Sequence, residues 1–167
     1  FYANQAAAYE RFQAEHSYEA SFEKGCGGVS VVLDVHWQLG AGWPGFEQLG
    51  LFCLDRIGWH ALTEPFSFHG CEVRRLHLNA HFFHLLCHFG LHHRFSGLKW
   101  LHELCLLLER YDHQLDWDWI GETARQTGCA KLVGVALRLV AEVLGPTHRL
   151  AGSWQDYWPK FLPGEFA

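Results

Sequence analysis

Polar and apolar side chains alternate along residues 16–38, and a glycine-rich break, GCGG at residues 25–28, interrupts them. Before the break Tyr18, Ala20 and Phe22 alternate with polar residues, and after it VSVVLDVHWQ alternates again. A period of two is typical of a half-covered β-strand, and paired glycines allow a tight turn. This pattern predicts an antiparallel hairpin over residues 16–38.

The chain after this hairpin changes to helical spacing. A glycine-weakened helical pattern covers residues 46–62, and residues 66–76 predict a short hairpin that turns at His69-Gly70. Four helices follow, over about 80–93, 97–110, 117–127 and 130–144. Asn79, Ser96 and Asp116 are the predicted N-caps of the first three, and Gly128 ends the third.

The fold class that follows is α+β: a small antiparallel sheet plus a C-terminal helical bundle. The predicted organisation is a sheet-containing region at residues 1–76, a bundle at 77–150 and an irregular aromatic tail at 151–167. Apolar spacing predicts two sets of buried side chains in the bundle, one on the second helix and one on the third and fourth. The sets are Trp100, Leu101, Leu104, Leu107 and Leu108, and Trp117, Ile120, Ala124, Leu132, Val135, Leu139 and Val143.

Composition narrows the function classes. The chain has 167 residues, a formal net charge of −5 and no basic tract, which argues against binding to duplex nucleic acid. Six cysteines form no CxxC pair, and neither a signal peptide nor an apolar run of membrane-spanning length occurs, so we expect reduced thiols, no membrane partner and a cytoplasmic location. The chain contains no methionine, even at position 1, which predicts a piece of a longer protein.

Asp34 is an acidic residue inside the apolar run VVLDVHWQL. From the residues alone it is an exposed residue on the open face of the hairpin, because half-covered strands alternate polar and apolar faces. His36 shares its face, and it could orient Asp34, contact a phosphate or form a structural hydrogen bond. These alternatives stay open at this point.

A stripe of histidines is the most unusual feature of the composition. His81, His84, His88 and His92 are spaced so that one helix face presents all four. His88 and His92 are one turn apart, a spacing that can chelate zinc, and Glu103 or His102 could add a third ligand. Partner contacts or a polar seam between helices are the favoured alternatives, because no HExxH pattern occurs.

Three segments in this order resemble a known family. They are LDVHWQL at residues 33–39, HLLCHFGLHHRFSGLKWLHEL at 84–104 and LDWDWIGETARQTGCAKLVGVALRLVAEVLG at 115–145. Together with the short hairpin they resemble the uncharacterised nucleotidyltransferase family of the DNA polymerase β-like nucleotidyltransferase superfamily. The resemblance covers about residues 16–145, and it implies that the sheet is the remnant of a nucleotidyltransferase lobe.

The resemblance also implies a site and a reaction. Asp34 matches the third of three catalytic carboxylates, which would hold Mg²⁺ while a nucleoside monophosphate passes from an NTP to an acceptor of unknown identity. His88 and His93 match the family's H-x-x-x-K-H segment, with His92 in place of the lysine, so His88, His92, His93 and His36 are candidate substrate-binding residues. Glu103 stands where the family commonly has Asp, and a salt bridge between helices is its expected role.

The sequence departs from the superfamily at the other two carboxylates. No Gly-Ser or Gly-Gly turn precedes an Asp-x-Asp pair, and the DWD at Asp116 and Asp118 lies at a predicted helix start. We therefore expect the C-terminal part of a nucleotidyltransferase. The alternatives are a non-catalytic relative that acts as a binding module, and a histidine-based metal-binding helical domain. An incomplete sheet exposes edge backbone, so the missing half, a second copy or another chain is expected to cover it.

Overall fold

The computed structural model of the chain describes residues 19–36, 57–144 and 161. The chain divides into two compact units, residues 1–49 and residues 50–167. Each unit is described by itself below. The sheets and helices of both units make an α+β fold, as the sequence predicts.

The described part of the first unit is a two-stranded antiparallel hairpin. Strand β1 is Glu19–Cys26 and strand β2 is Val29–His36. Gly27 and Gly28 form the turn at φ of 58° and 84°, a conformation that suits glycine. The predicted hairpin is confirmed over these residues, with a shorter turn than expected because β1 continues through Gly25 and Cys26. Positions 16–18, 37 and 38 lie outside the described residues.

Pairing in register separates the two faces of this hairpin. Ser21 pairs with Asp34 and Glu23 with Val32, whereas Phe22 pairs with Leu33 and Lys24 with Val31. Phe22 and Leu33 leave 59% and 60% of their surfaces exposed. The mainly apolar face is therefore open to solvent in the described part of the chain.

The described part of the second unit begins with a short helix and a second hairpin. Helix α1 is Trp59–Leu62, strand β3 is Thr63–Phe68 and strand β4 is Cys71–Leu76. The turn at His69-Gly70 is confirmed, with φ of 49° and 81°. The hairpin begins three residues earlier than predicted and includes Pro65, which this two-stranded sheet tolerates because each strand has an unpaired edge. Most of the helix predicted over 46–62 lies outside the described residues.

Four longer helices follow: α2 is Leu78–Leu91, α3 is Leu98–Tyr111, α4 is Trp117–Gln126 and α5 is Ala130–Leu144. A short 3₁₀ helix, Asp112–Gln114, precedes α4. None of the described helices has the length and apolar character that crossing a membrane requires.

Two of the three predicted N-caps are wrong. His77, and not Asn79, caps α2, and its side chain accepts a hydrogen bond from the Ala80 N–H. Gly97, and not Ser96, precedes α3. Asp116 is confirmed as the cap of α4, since its Oδ1 accepts from the Trp119 N–H at 2.9 Å. Gly128 follows the end of α4 at φ 71°, as predicted for a C-terminal glycine.

The core of the second unit lies between α2 and the helices packed on it. Its largest fully buried side chains, among the described residues, are Leu62, Phe82, Phe83, Phe89, Leu86, Leu104, Leu108, Ile120, Val133, Leu137 and Val140. The predicted face of α5 is wrong by about one position. Val135 and Val143 are exposed, and Val133, Ala136, Leu137 and Val140 are buried instead. Phe161, in the predicted aromatic tail, is also buried, and the rest of that tail lies outside the described residues.

Candidate functional site

Asp34 lies on β2 with an exposed side chain. The Ser21 hydroxyl, directly across the hairpin, donates a hydrogen bond to Asp34 Oδ1. This contact orients the carboxylate, and in the described part of the chain Oδ2 accepts no hydrogen bond. The same strand pair repeats the arrangement nearer the turn, where the Ser30 hydroxyl donates to Glu23 Oε1.

His36 ends β2 and pairs with Glu19 in the register of the hairpin. Its position is two residues from Asp34, on the same strand face. The contacts of its side chain are outside the described part of the structure, so its predicted role stays a prediction.

The other predicted residues, His88, His92 and His93, lie in the second unit and form one cluster with Trp100. The His88 and His92 rings stack, with centroids 4.8 Å apart and planes 8° from parallel. His93 stacks on Trp100 at 4.0 Å and 19°, and His88 meets Trp100 edge-on at 5.0 Å. The structure therefore brings these three histidines together, as expected of residues that act at one site.

A polar contact in the histidine cluster joins His88 and His93. Their Nε2 atoms are 3.0 Å apart. His88 and His92, the pair with zinc-like spacing, instead stack face to face, which does not aim two nitrogens at one ion. Among residues 19–36, 57–144 and 161, no group of three or more His, Cys, Asp or Glu side chains could hold a metal ion.

The end of α2 positions the histidine cluster. The N–H groups of His92 and His93 both donate to the His88 carbonyl, at 3.0 and 3.2 Å. Arg94 and Phe95 then adopt positive φ of 50° and 58°, and the Phe95 N–H returns to the Phe89 carbonyl. These backbone contacts bring the His93 ring back beside the last turn of the helix.

Two histidines of the second unit, His93 of the cluster and His81 of the stripe, have a lowered pKa. Partial burial, followed by the charges of His92 and Lys99, lowers the pKa of His93. Partial desolvation also lowers the pKa of His81, although that side chain still reaches solvent. The negative charge of Glu103 raises the same pKa by a smaller amount.

Two predictions near the histidine cluster need correction. Trp100 is half-buried and stacked on His93, whereas helical spacing predicts it as a core residue. Glu103 pairs with Lys99 of its own helix at 3.9 Å, and not in a salt bridge between helices. The i,i+4 spacing of Lys99 and Glu103 was the signal that could have predicted this pair.

A cavity that the sequence does not predict lies in the second unit, beside β4, α2 and α3. Its volume is about 490 Å³. The polar side chains that line it are Glu64, Arg75, His81, Tyr111 and Gln114. Arg75 Nε donates to Glu64 Oε1 at 2.7 Å, so the main positive group of the cavity already has an acidic partner.

The first aspartate of the DWD segment, Asp116, has a structural role as a helix cap. Asp116 Oδ1 caps α4, and the Asp116 N–H donates to Asn79 Oδ1 at 2.9 Å. An aspartate used as a helix cap is held by the backbone and does not pair with Asp118 at a metal. The interpretation of this segment as a cap is confirmed.

Comparison with known proteins places the chain in a family. No curated protein and no solved structure matches the chain. The sequence profile of the family described as Uncharacterised nucleotidyltransferase matches residues 4–145, which is most of the 167-residue chain. The match includes both hairpins, all four longer helices and each residue of the candidate site. The chain therefore belongs to the uncharacterised nucleotidyltransferase family.

Proposed function

We propose that the chain is the part of a nucleotidyltransferase that contributes the third catalytic carboxylate. The reaction would transfer a nucleoside monophosphate from an NTP to an acceptor of unknown identity. The observation that carries this proposal is the family match, which covers residues 4–145 and therefore includes Asp34, the residue that the resemblance assigns to the superfamily's lone carboxylate. The proposed location is cytoplasmic, because the six cysteines form no CxxC pair and are expected to be reduced thiols.

The chemistry of Asp34 fits Mg²⁺ as one of several ligands. Magnesium prefers carboxylate oxygens and keeps several waters, so an exposed, oriented aspartate suits it. When bound, magnesium ions would supply positive charge to the phosphates and the attacking oxygen. The role of Asp34 is to hold that charge, with Ser21 fixing one carboxylate oxygen and leaving the other for the ion.

The histidines are proposed to bind substrate. His36 follows Asp34 on the same strand face and would contact a phosphate. His88, His92 and His93 occupy the H-x-x-x-K-H segment, and their clustering supports a shared role. With histidine at the lysine position, a permanent positive charge is replaced by one that depends on pH.

Nucleotide binding tests the proposal on the chain as it stands. Calorimetry with each NTP in excess MgCl₂ should show binding, and Asp34→Asn should weaken it at least tenfold because a neutral amide holds Mg²⁺ poorly. Glu23→Gln is the matched control, since Glu23 also accepts a serine hydrogen bond on this hairpin face. Failure of the wild-type chain to bind any NTP, or equal loss in the two variants, would contradict the role of Asp34.

A non-catalytic binding module is the second candidate function. The 167 residues contain one Asp-x-Asp, and its first aspartate is a helix cap. Incubation of a longer protein that contains this chain and the other two carboxylates with each α-labelled NTP and magnesium separates the two functions. A nucleotidyltransferase transfers the label to an acceptor in a cell extract, whereas a binding module retains the NTP unchanged.

A further inference from the structure

The His88 and His93 rings meet in a geometry that can serve a metal ion as well as a proton. Their Nε2 atoms are 3.0 Å apart, and their planes lie at 74°. Between two neutral imidazoles this contact uses one N–H and one lone pair. When the donor ring instead carries its proton on Nδ1, both Nε2 atoms have a lone pair and both rings stay neutral, which is what a chelating pair requires.

The distance between the two Nε2 atoms fixes the angle they make at a bound metal ion, and that angle indicates the preferred coordination geometry. Histidine nitrogens bind first-row metals at about 2.0–2.1 Å, so nitrogens 3.0 Å apart subtend an angle of about 91–97° at the ion. A tetrahedral angle would need the nitrogens at about 3.3–3.4 Å. An angle near 90° is that of neighbouring ligands in square or octahedral coordination, which Cu²⁺ and Ni²⁺ favour with nitrogen ligands.

The surrounding residues hold both rings in place without a metal. The His88 carbonyl accepts the His92 and His93 N–H groups, and the Ser96 hydroxyl and N–H both donate to the His93 carbonyl. Trp100 supports the His93 face, and Trp100 in turn packs against Gly97. Gly97 has a φ of 98°, which strains any other residue, and a Cβ there would lie 3.1 Å from Trp100 Cδ1, so glycine is favoured. A preorganised pair loses little freedom when an ion binds.

We propose that His88 and His93 form a two-histidine site for Cu²⁺ or Ni²⁺ through their Nε2 atoms. Within the described ranges no third His, Cys, Asp or Glu side chain completes the site, so water or a ligand occupies the remaining positions. Such a site exchanges its ion readily. The proposed function also assigns these two histidines to substrate binding, but the inference rests only on the geometry of their rings, so metal binding by the isolated chain tests it without NTP and without Asp34, which lies in the other unit.

Electron paramagnetic resonance of the Cu²⁺-loaded chain tests the site directly. One equivalent of Cu²⁺ should give a spectrum with splitting from two histidine nitrogens, and labelling histidine with ¹⁵N should change that splitting. Splitting from no nitrogen, or from one, would overturn the proposal. This measurement uses the unmodified chain, so it does not depend on whether a variant folds.

Calorimetry with Cu²⁺ and with Ni²⁺ assigns the ligands. His93→Gln and His88→Gln should each weaken the site at least tenfold, and His102→Gln, an exposed histidine on α3, should leave it unchanged. His93 lies beyond the end of α2, so His93→Gln is the variant that perturbs the helix least. Affinity unchanged in both variants, or lowered equally in the control, would mean adventitious binding and refute the assignment.

Discussion

Replacement of Gly90 by alanine tests how closely α2 packs against α5. Gly90 lies in the last turn of α2, between His88 and His92, and it is buried. A Cβ built on Gly90 would lie 2.7, 2.8 and 2.9 Å from Leu132 Cγ, Cδ1 and Cδ2. All three branch atoms of Leu132 are too close, so rotation of that side chain cannot remove the overlap by moving one methyl group.

Two opposing free energies decide the outcome of Gly90→Ala. Alanine gains about 0.8–1.0 kcal/mol over glycine in a helix interior. Overpacking of a close contact costs about 1–3 kcal/mol. The net change is therefore a destabilisation of up to about 2 kcal/mol, equivalent to a fall in Tm of several degrees in a protein of this size.

Gly121→Ala is the matched control for this substitution. Gly121 is also buried in a helix, but its Cβ would lie 3.5 Å from Phe161 Cε1, an ordinary contact. Urea denaturation should therefore show Gly121→Ala stabilising the chain by about 1 kcal/mol and Gly90→Ala failing to do so. Equal stabilisation by both substitutions would refute the close approach of α2 and α5. In the Gly90→Ala and Leu132→Ala double mutant, the cost of overpacking should disappear, which a double-mutant cycle measures.

Two further predictions concern titration and assembly. Burial lowers the pKa of folded His81 below its usual 6.5, so the unfolded chain binds more protons than the folded chain near this pH. The contribution of His81 to the free energy of unfolding is therefore complete above pH 6.5, and it is lost as the pH falls through the folded pKa. Urea denaturation across this range should show a weaker pH dependence in His81→Gln, and an unchanged pH dependence would contradict this. The exposed apolar face with Phe22 and Leu33 predicts self-association, so sedimentation velocity should show an average mass that rises with protein concentration. In Leu33→Lys the mass should stay at that of the monomer. A monomer at every concentration would exclude a second copy as the cover of this face.

Both hairpins could be predicted from local sequence because their signals are local. Alternation of side chains and the Gly27-Gly28 turn determine the first, and His69-Gly70 determines the second. The Asp116 cap was predictable for the same reason, because its partner is the Trp119 N–H three residues later.

The wrong predictions depend on contacts between distant residues. Asn79 has the right chemistry for a cap, but its side chain accepts from the Asp116 N–H, 37 residues away. On α5 the apolar residues surround most of the helix, so spacing offers two candidate faces and packing on α2 selects the one with Val133 and Leu137.

The candidate site shows the same division between local and distant signals. Helical spacing predicts that His88 and His92 lie together, and they do. It cannot predict that His93 reaches His88, because His93 lies beyond the end of the helix, where its N–H donates to the His88 carbonyl instead of continuing the helical pattern. The partner of Asp34 depends on the hairpin register, which brings Ser21 across from it.

The histidine cap of α2 also connects this helix to α1. His77 Nδ1 accepts from the Ala80 N–H, its Nε2 lies 3.1 Å from the Ala61 carbonyl, and its own N–H donates to the Leu62 carbonyl. The ring must therefore carry its hydrogen on Nε2, a tautomer dictated by the backbone at both ends. Asparagine or serine could cap the helix but could not span to Ala61. One imidazole thus couples the start of α2 to the end of α1.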